Sequence, residues 1–162
     1  MLYAVIAVAL VLLDQVVKFL VRANIPLYTS VTFIPGVMDL TYVQNTGAAF
    51  SLLNEHTWVL TLISLGASIL LAVLLLKKVF PHPFAMTCLS VVLAGAVGNL
   101  IDRVAFGYVT DMFKTTFMNF AVFNVADICL VCGIIALCIY VLFFYDKLEK
   151  KEEPHDAPDA DC

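Results

Sequence analysis

The 162-residue chain is 62% hydrophobic and only 14% charged, with a mean hydropathy of +0.98. Soluble domains are about half apolar and about a quarter charged, so composition alone excludes an ordinary soluble domain and indicates a membrane protein. The net charge of −4 reflects an acidic C-terminal tail, and nothing resembles the basic surface of a nucleic-acid-binding protein.

In chain order, the first long apolar run is 2–21, about 20 residues and enough to cross the hydrocarbon at 1.5 Å per residue. A cleaved secretory signal needs a basic start and a small-residue cleavage site. This run has no basic residue before Lys18 and carries Asp14 inside it. It reads as an uncleaved first transmembrane helix. Asp14 and Lys18 are four apart and share a helix face. They fit a role supporting a polar site, or a plain structural pair with Lys18 snorkelling outward.

Residues 23–57 change character. Pro26, Pro35 and Gly36 break helices, while Val31-Thr32-Phe33-Ile34 and Leu40-Thr41-Tyr42-Val43 have β-type composition. Gln44-Asn45-Thr46-Gly47-Ala48-Ala49-Phe50-Ser51 follows, where small residues allow close backbone approach. This region suits a short sheet cradling an extended peptide, or equally a connecting loop. The second span is 58–76, opened by Trp58 and followed by Lys77-Lys78 and the Pro81-His82-Pro83 breaker. The third is 84–104, with Asn99, Asp102 and Arg103 at its far end. Residues 105–119 read as a connecting segment holding Asp111 and Lys114. The fourth span is 120–145, with Asn124 and Asp127 in its first turns. Residues 1–145 thus form one four-helix membrane domain, and 146–162 an acidic tail expected to be disordered and cytoplasmic.

Five cysteines include a C-x-x-C at Cys129 and Cys132. Cys88, Cys129, Cys132 and Cys138 lie in apolar runs without histidine, so they read as small hydrophobes rather than a redox or zinc motif. No metal or cofactor is expected. His56, His82 and His155 are scattered, there is no H-E-x-x-H, and Gly66-Ala67-Ser68-Ile69 lacks the second glycine of a serine-protease motif.

Four spans put both termini and Lys77-Lys78 on one side. Lys77, Lys78, Lys147, Lys150 and Lys151 there outnumber Arg22, Arg103 and Lys114 opposite, which places the termini in the cytoplasm. Asn45, Gly47, Asn99, Arg103, Asp111, Asn124 and Asp127 then converge at the outer leaflet. Ionisable groups in such surroundings indicate a functional site. Two neighbouring carboxylates share a proton, so one can act as base on a water while the other polarises a carbonyl. Spacing alone leaves open which two of Asp102, Asp111 and Asp127 form such a pair. It also leaves open an ion pathway through the bundle, or a structural protein in which Asp102 or Asp127 pairs with Arg103.

Asp14-Gln15-x-x-Lys18, Asn45-Thr46-Gly47-Ala48-Ala49-Phe50, Gly98-Asn99-Leu100-Ile101-Asp102-Arg103, Val109-Thr110-Asp111 and Phe123-Asn124-Val125-Ala126-Asp127 resemble, in order and spacing, the blocks of the lipoprotein signal peptidase (signal peptidase II) family. The resemblance implies an all-α polytopic aspartyl endopeptidase of the bacterial cytoplasmic membrane, with four transmembrane helices and a small extracellular β-cradle from 23–57. Its substrate would be a diacylglyceryl-modified prolipoprotein, cut before the lipidated lipobox cysteine. Asp111 and Asp127 would be the catalytic pair. Asn99, Arg103, Asn124, Asn45, Gly47, Asp14 and Lys18 would position substrate or support the pair, and Asp102 would hold the loop near Arg103. The resemblance further implies contact with membrane lipid, sensitivity to globomycin-type peptides and a monomeric enzyme.

Overall fold

The computed structural model describes residues 1–47 and 57–145. The tail, Cys162 and the stretch Ala48-Ala49-Phe50-Ser51 lie outside the described residues. Among the described residues four helices are long and apolar enough to cross a membrane: α1 Leu2–Asn24, α2 Thr57–Leu76, α3 Pro83–Phe106 and α4 Val125–Phe143. Strands β1 Ser30–Ile34, β2 Met38–Asn45 and β3 Val109–Thr115 form one antiparallel sheet in the order β1-β2-β3.

Local chemistry sets the helix ends. α1 runs past the apolar stretch to Asn24, then stops at Ile25, which precedes Pro26 and takes extended angles (φ −115°, ψ 121°). α3 opens with Pro83 in its first turn behind His82, whose side chain accepts the Phe84 N–H. It closes at Gly107 in the left-handed conformation (φ +77°), a C-cap glycine adopts without strain. α4 begins at Val125 rather than near 120. The preceding residues are drawn into extended structure, with Phe123 bridged to Phe113, and Asn124 caps the helix.

α3 is the axis of the bundle, and α1, α2 and α4 each pack on it. Within the apolar windows 61% of α3 is buried, against 17–22% for the other helices. Their outward faces expose Leu12, Ile63, Leu70, Ile135 and Leu142, a surface that suits lipid rather than water. Close packing depends on missing side chains: a Cβ on Gly95 would run into the Ala126 carbonyl, and one on Gly98 would lie 2.7 Å from an Asp14 carboxylate oxygen. On α1 the buried positions Ala7, Asp14, Lys18 and Val21 fall on one face.

Residues 105–119, read from the sequence as a plain connection, instead supply the third strand. Val109, Thr110, Asp111 and Met112 are all buried, so β3 lacks the alternation that marks a half-exposed strand. Val21 of α1, Tyr42 of β2 and Met112 of β3 form a small core that seats the sheet on the end of α1. α1 and α3 finish and α4 starts at this same end of the bundle, and the polar residues gather there.

Candidate active site

Asp111 comes from β3, opposite Val43 of β2, and Asp127 is the third residue of α4. Asn124 joins them. Its side-chain amide donates to Asp111 Oδ1 at 2.7 Å, and its backbone N–H donates to Asp127 Oδ2 at 3.1 Å. The Asp127 N–H returns to Asn124 Oδ1 at 2.9 Å, completing a capping box. The local signal that starts α4 therefore also brings two carboxylates to one asparagine. The remaining carboxylate oxygens are equally engaged: Asn45 donates to Asp111 Oδ2 at 2.9 Å and Asn99 donates to Asp127 Oδ1 at 2.7 Å.

The orientation of each amide follows from its other partner. Lys18 Nζ, which only donates, lies 3.0 Å from Asn99 Oδ1; the Gly47 N–H lies 3.0 Å from Asn45 Oδ1; the Asp127 N–H holds Asn124 Oδ1. With their oxygens so occupied, all three asparagines turn NH2 groups to the carboxylates. Asp111 is 2% exposed. Burial, and then the charge of Asp127, push its carboxyl up to about 6, against the opposing bonds from Asn45 and Asn124 and the charge of Lys18.

Asp111, Asp127, Asn45, Gly47, Asn99 and Arg103 line a cleft of about 900 Å³. One wall continues along α4 through the apolar Ile128 and Val131. Asn124 sits behind this lining, fully buried. Asp14 and Lys18 lie deeper and do not line the cleft. Lys18 is fully buried rather than snorkelling outward, bonded to Asp14 at 2.9 Å and Asp102 at 3.2 Å. Asp14 in turn accepts the Ala126 N–H at 2.9 Å, tying α1 to the first turn of α4.

Asp102, which the resemblance has holding the loop near Arg103, makes no ion pair with Arg103 among the described residues. Adjacent residues on a helix diverge, and Asp102 turns instead to Lys18 and, at 3.8 Å, to Arg22, while accepting the Thr110 N–H at 2.9 Å. Among the described residues Arg103 forms no ion pair. Its Nη1 donates to Ser64 at 3.2 Å and its buried Nε has no hydrogen-bond partner among them.

Four contributors escaped sequence reasoning. Gln15 donates to Asp14, Asp102 and the Gly98 carbonyl. Arg22 donates to the Thr110 hydroxyl at 2.9 Å and lies over the Phe106 ring at 4.6 Å. Thr110, through its backbone N–H, and Ser64 complete the set. Gln15 stood inside a motif and Arg22 one turn beyond Lys18, which is a usable signal. Thr110 also stood inside a motif, beside Asp111, whereas Ser64 is one of many small residues in an apolar helix and had no such signal.

The sequence and the fold have counterparts among known proteins. The profile of the family described as signal peptidase (SPase) II matches residues 6–143. The chain belongs to the signal peptidase II family. Lipoprotein signal peptidase of Enterococcus faecalis is 45% identical, over 93% of this chain and 92% of its own length. That of Clostridioides difficile is 42% identical, over 91% and 99%. A bacterial membrane enzyme solved at 2.3 Å superposes with a TM-score of 0.82 at 30% identity, covering 96% of this chain and 94% of the other. Membership and the four apolar helices make this a multi-pass bacterial membrane protease.

Proposed function

We propose that this chain removes signal peptides from diacylglyceryl-modified prolipoproteins, cutting before the lipidated lipobox cysteine with water activated by Asp111 and Asp127. The observation that carries the reading is the pair of carboxylates joined through Asn124 on the wall of a cleft that continues onto an apolar helix face. Such a pair titrates as a unit holding one proton. Asp111, already displaced to about 6, is the member that takes it, and substrate lifts it further by expelling water from the cleft. Ionised Asp127 then draws a proton from the attacking water while Asp111 hydrogen-bonds the scissile carbonyl oxygen. Asp127 afterwards passes its proton to the leaving amine. No metal or covalent intermediate is needed.

The remaining residues act by placement. Asn45, Asn99 and Asn124 hold the carboxylates at fixed angles. Arg103, with donors to spare, suits carbonyl oxygens of the bound substrate. Gly47, whose N–H fixes Asn45, leaves room beside the cleft for an extended chain. Acyl chains stay in lipid beside Ile128 and Val131, so anchoring supplies orientation before any peptide contact forms. With termini in the cytoplasm, as the lysine distribution favours, the sheet is the extracellular cradle and the cut occurs at the outer leaflet of the cytoplasmic membrane. The protein works as a monomer, and globomycin-type peptides compete for the cleft.

The test is cleavage of a purified diacylglyceryl prolipoprotein by the purified chain in detergent, with and without globomycin. Globomycin-sensitive release of the signal peptide is expected from the lipidated precursor and none from the unlipidated one. Equal cutting of both would remove the lipid-anchoring argument.

A further inference from the structure

The turn Pro26–Thr29 leads from α1 into β1 and is closed by the Thr29 N–H donating to the Pro26 carbonyl at 3.1 Å. Its third residue, Tyr28, has φ +60°. This is the left-handed region, where turns ordinarily place Gly or Asn and where a side chain brings strain. The Tyr28 ring contributes little to the fold. It is 69% exposed, and among the described residues it has neither a hydrogen bond from its hydroxyl nor an aromatic neighbour. The backbone tie of Tyr28, its N–H to the Tyr42 carbonyl at 2.8 Å, would be made equally well by glycine. Yet Tyr28 lines the same cleft as Asp111 and Asp127, from the sheet side with Gln44 and Thr46. Strain retained at a cleft wall, without compensating packing, points to use by a ligand.

We propose that Tyr28 is a substrate-contacting residue whose ring lies against the polypeptide that follows the lipidated cysteine. The proposal rests on reading the cleft as the prolipoprotein site. The two ends of the cleft differ in kind. Along α4 it is walled by Ile128 and Val131, which suits acyl chains. Toward the sheet its lining mixes Val43 and Val109 with the polar Gln44, Asn45 and Thr46, which suits the chain that must leave the bilayer. Tyr28 belongs to the second end. A tyrosine there offers a flat apolar face and a hydroxyl to an extended peptide at little entropic cost, and the left-handed backbone sets the direction in which the ring leaves the turn.

The experiment compares two diacylglyceryl lipobox peptides with the full chain in detergent, one ending directly after the cysteine and one continuing several residues beyond it. Tyr28→Gly relieves the turn, so its thermal midpoint is expected to rise. Its KM for the longer peptide is expected to rise roughly threefold to tenfold, as for loss of one aromatic contact. The kcat for both peptides and the KM for the shorter one should stay as in the wild type. Tyr28→Asn, which also tolerates the turn, should reproduce the KM change, and Tyr28→Phe should keep the wild-type KM. Unchanged KM for both peptides in Tyr28→Gly overturns the proposal. An equal KM rise for both also overturns it and assigns the ring to the lipid interface. If the wild type cleaves neither peptide, the reading of the cleft itself fails, and this inference with it.

Discussion

Two acid pairs lie close together in this bundle and are kept in opposite ways. Asp14 and Asp102 are surrounded by cations: Lys18 bonds to both and Arg22 approaches Asp102. Among the described residues Asp111 and Asp127 receive hydrogen bonds from neutral amides alone, those of Asn45, Asn99 and Asn124. A cation in contact supplies the charge that balances a buried carboxylate, whereas an amide fixes the carboxylate's position without supplying charge. The first pair ties α1 to α3 through Lys18, and the second is the pair proposed to move a proton. Lys18 links them, since it balances the first and orients Asn99 toward the second.

The sharpest way to break this contrast is to remove one proposed catalytic acid. Asp111→Asn and Asp127→Asn should each lower cleavage of the lipidated precursor by about 10²–10⁴-fold or more, with helical circular dichroism in detergent unchanged. Near-normal processing by either variant would end the assignment. The reciprocal experiment is Lys18→Met, which strands Asp14 and Asp102 as buried charges. It should cost about 3–5 kcal/mol of stability, read as a large drop in thermal midpoint. Little change in midpoint would mean that the first pair does not depend on its cation.

A smaller effect separates the pairs by pH. Asp111 sits at about 6 in the fold against 3.8 when free, so between those values the folded chain holds more protons than the unfolded one. Stability should therefore fall as pH rises through that window and level off above it, by at most about 3 kcal/mol. Denaturation followed from pH 4 to pH 7 (roughly the span of the shift) should show this fall in the wild type and a flatter profile in Asp111→Asn. The smallest expected effect is that of Asn124→Ser. Serine keeps the helix cap, so stability should change by only a few tenths of a kcal/mol. The bridge to Asp111 is lost, however, and kcat should drop roughly tenfold, about 1.4 kcal/mol. Equal losses of stability and kcat would show that Asn124 serves the helix alone.

The two pairs also differ in how far they were legible. The helices carrying Asp14, Asp102 and Asp127 stand out as apolar runs, and Asp14 with Lys18 is a spacing any helix makes adjacent. Joining Asp111 to Asp127 required knowing that residues 109–115 form a strand, and the burial of four successive residues there erases the alternating pattern. It also required Asn124 to be a cap outside the helix rather than a residue on its face, a distinction of one position at a boundary. The resemblance of the motif blocks supplied the pairing that spacing left open. For Asp102 the partners were the illegible part, since they arrive from α1 and from the backbone of β3 rather than from its sequence neighbour.

The double duty of Asn124 has a bearing on how such a protein is made. The residue that caps the last helix is the one that draws Asp111 and Asp127 together. If Asp111 and Asp127 are the cutting pair as proposed, a half-inserted copy lacking that final segment has no paired acids with which to nick its neighbours in the bilayer. Proteolytic competence, on this view, arrives only with the completed bundle.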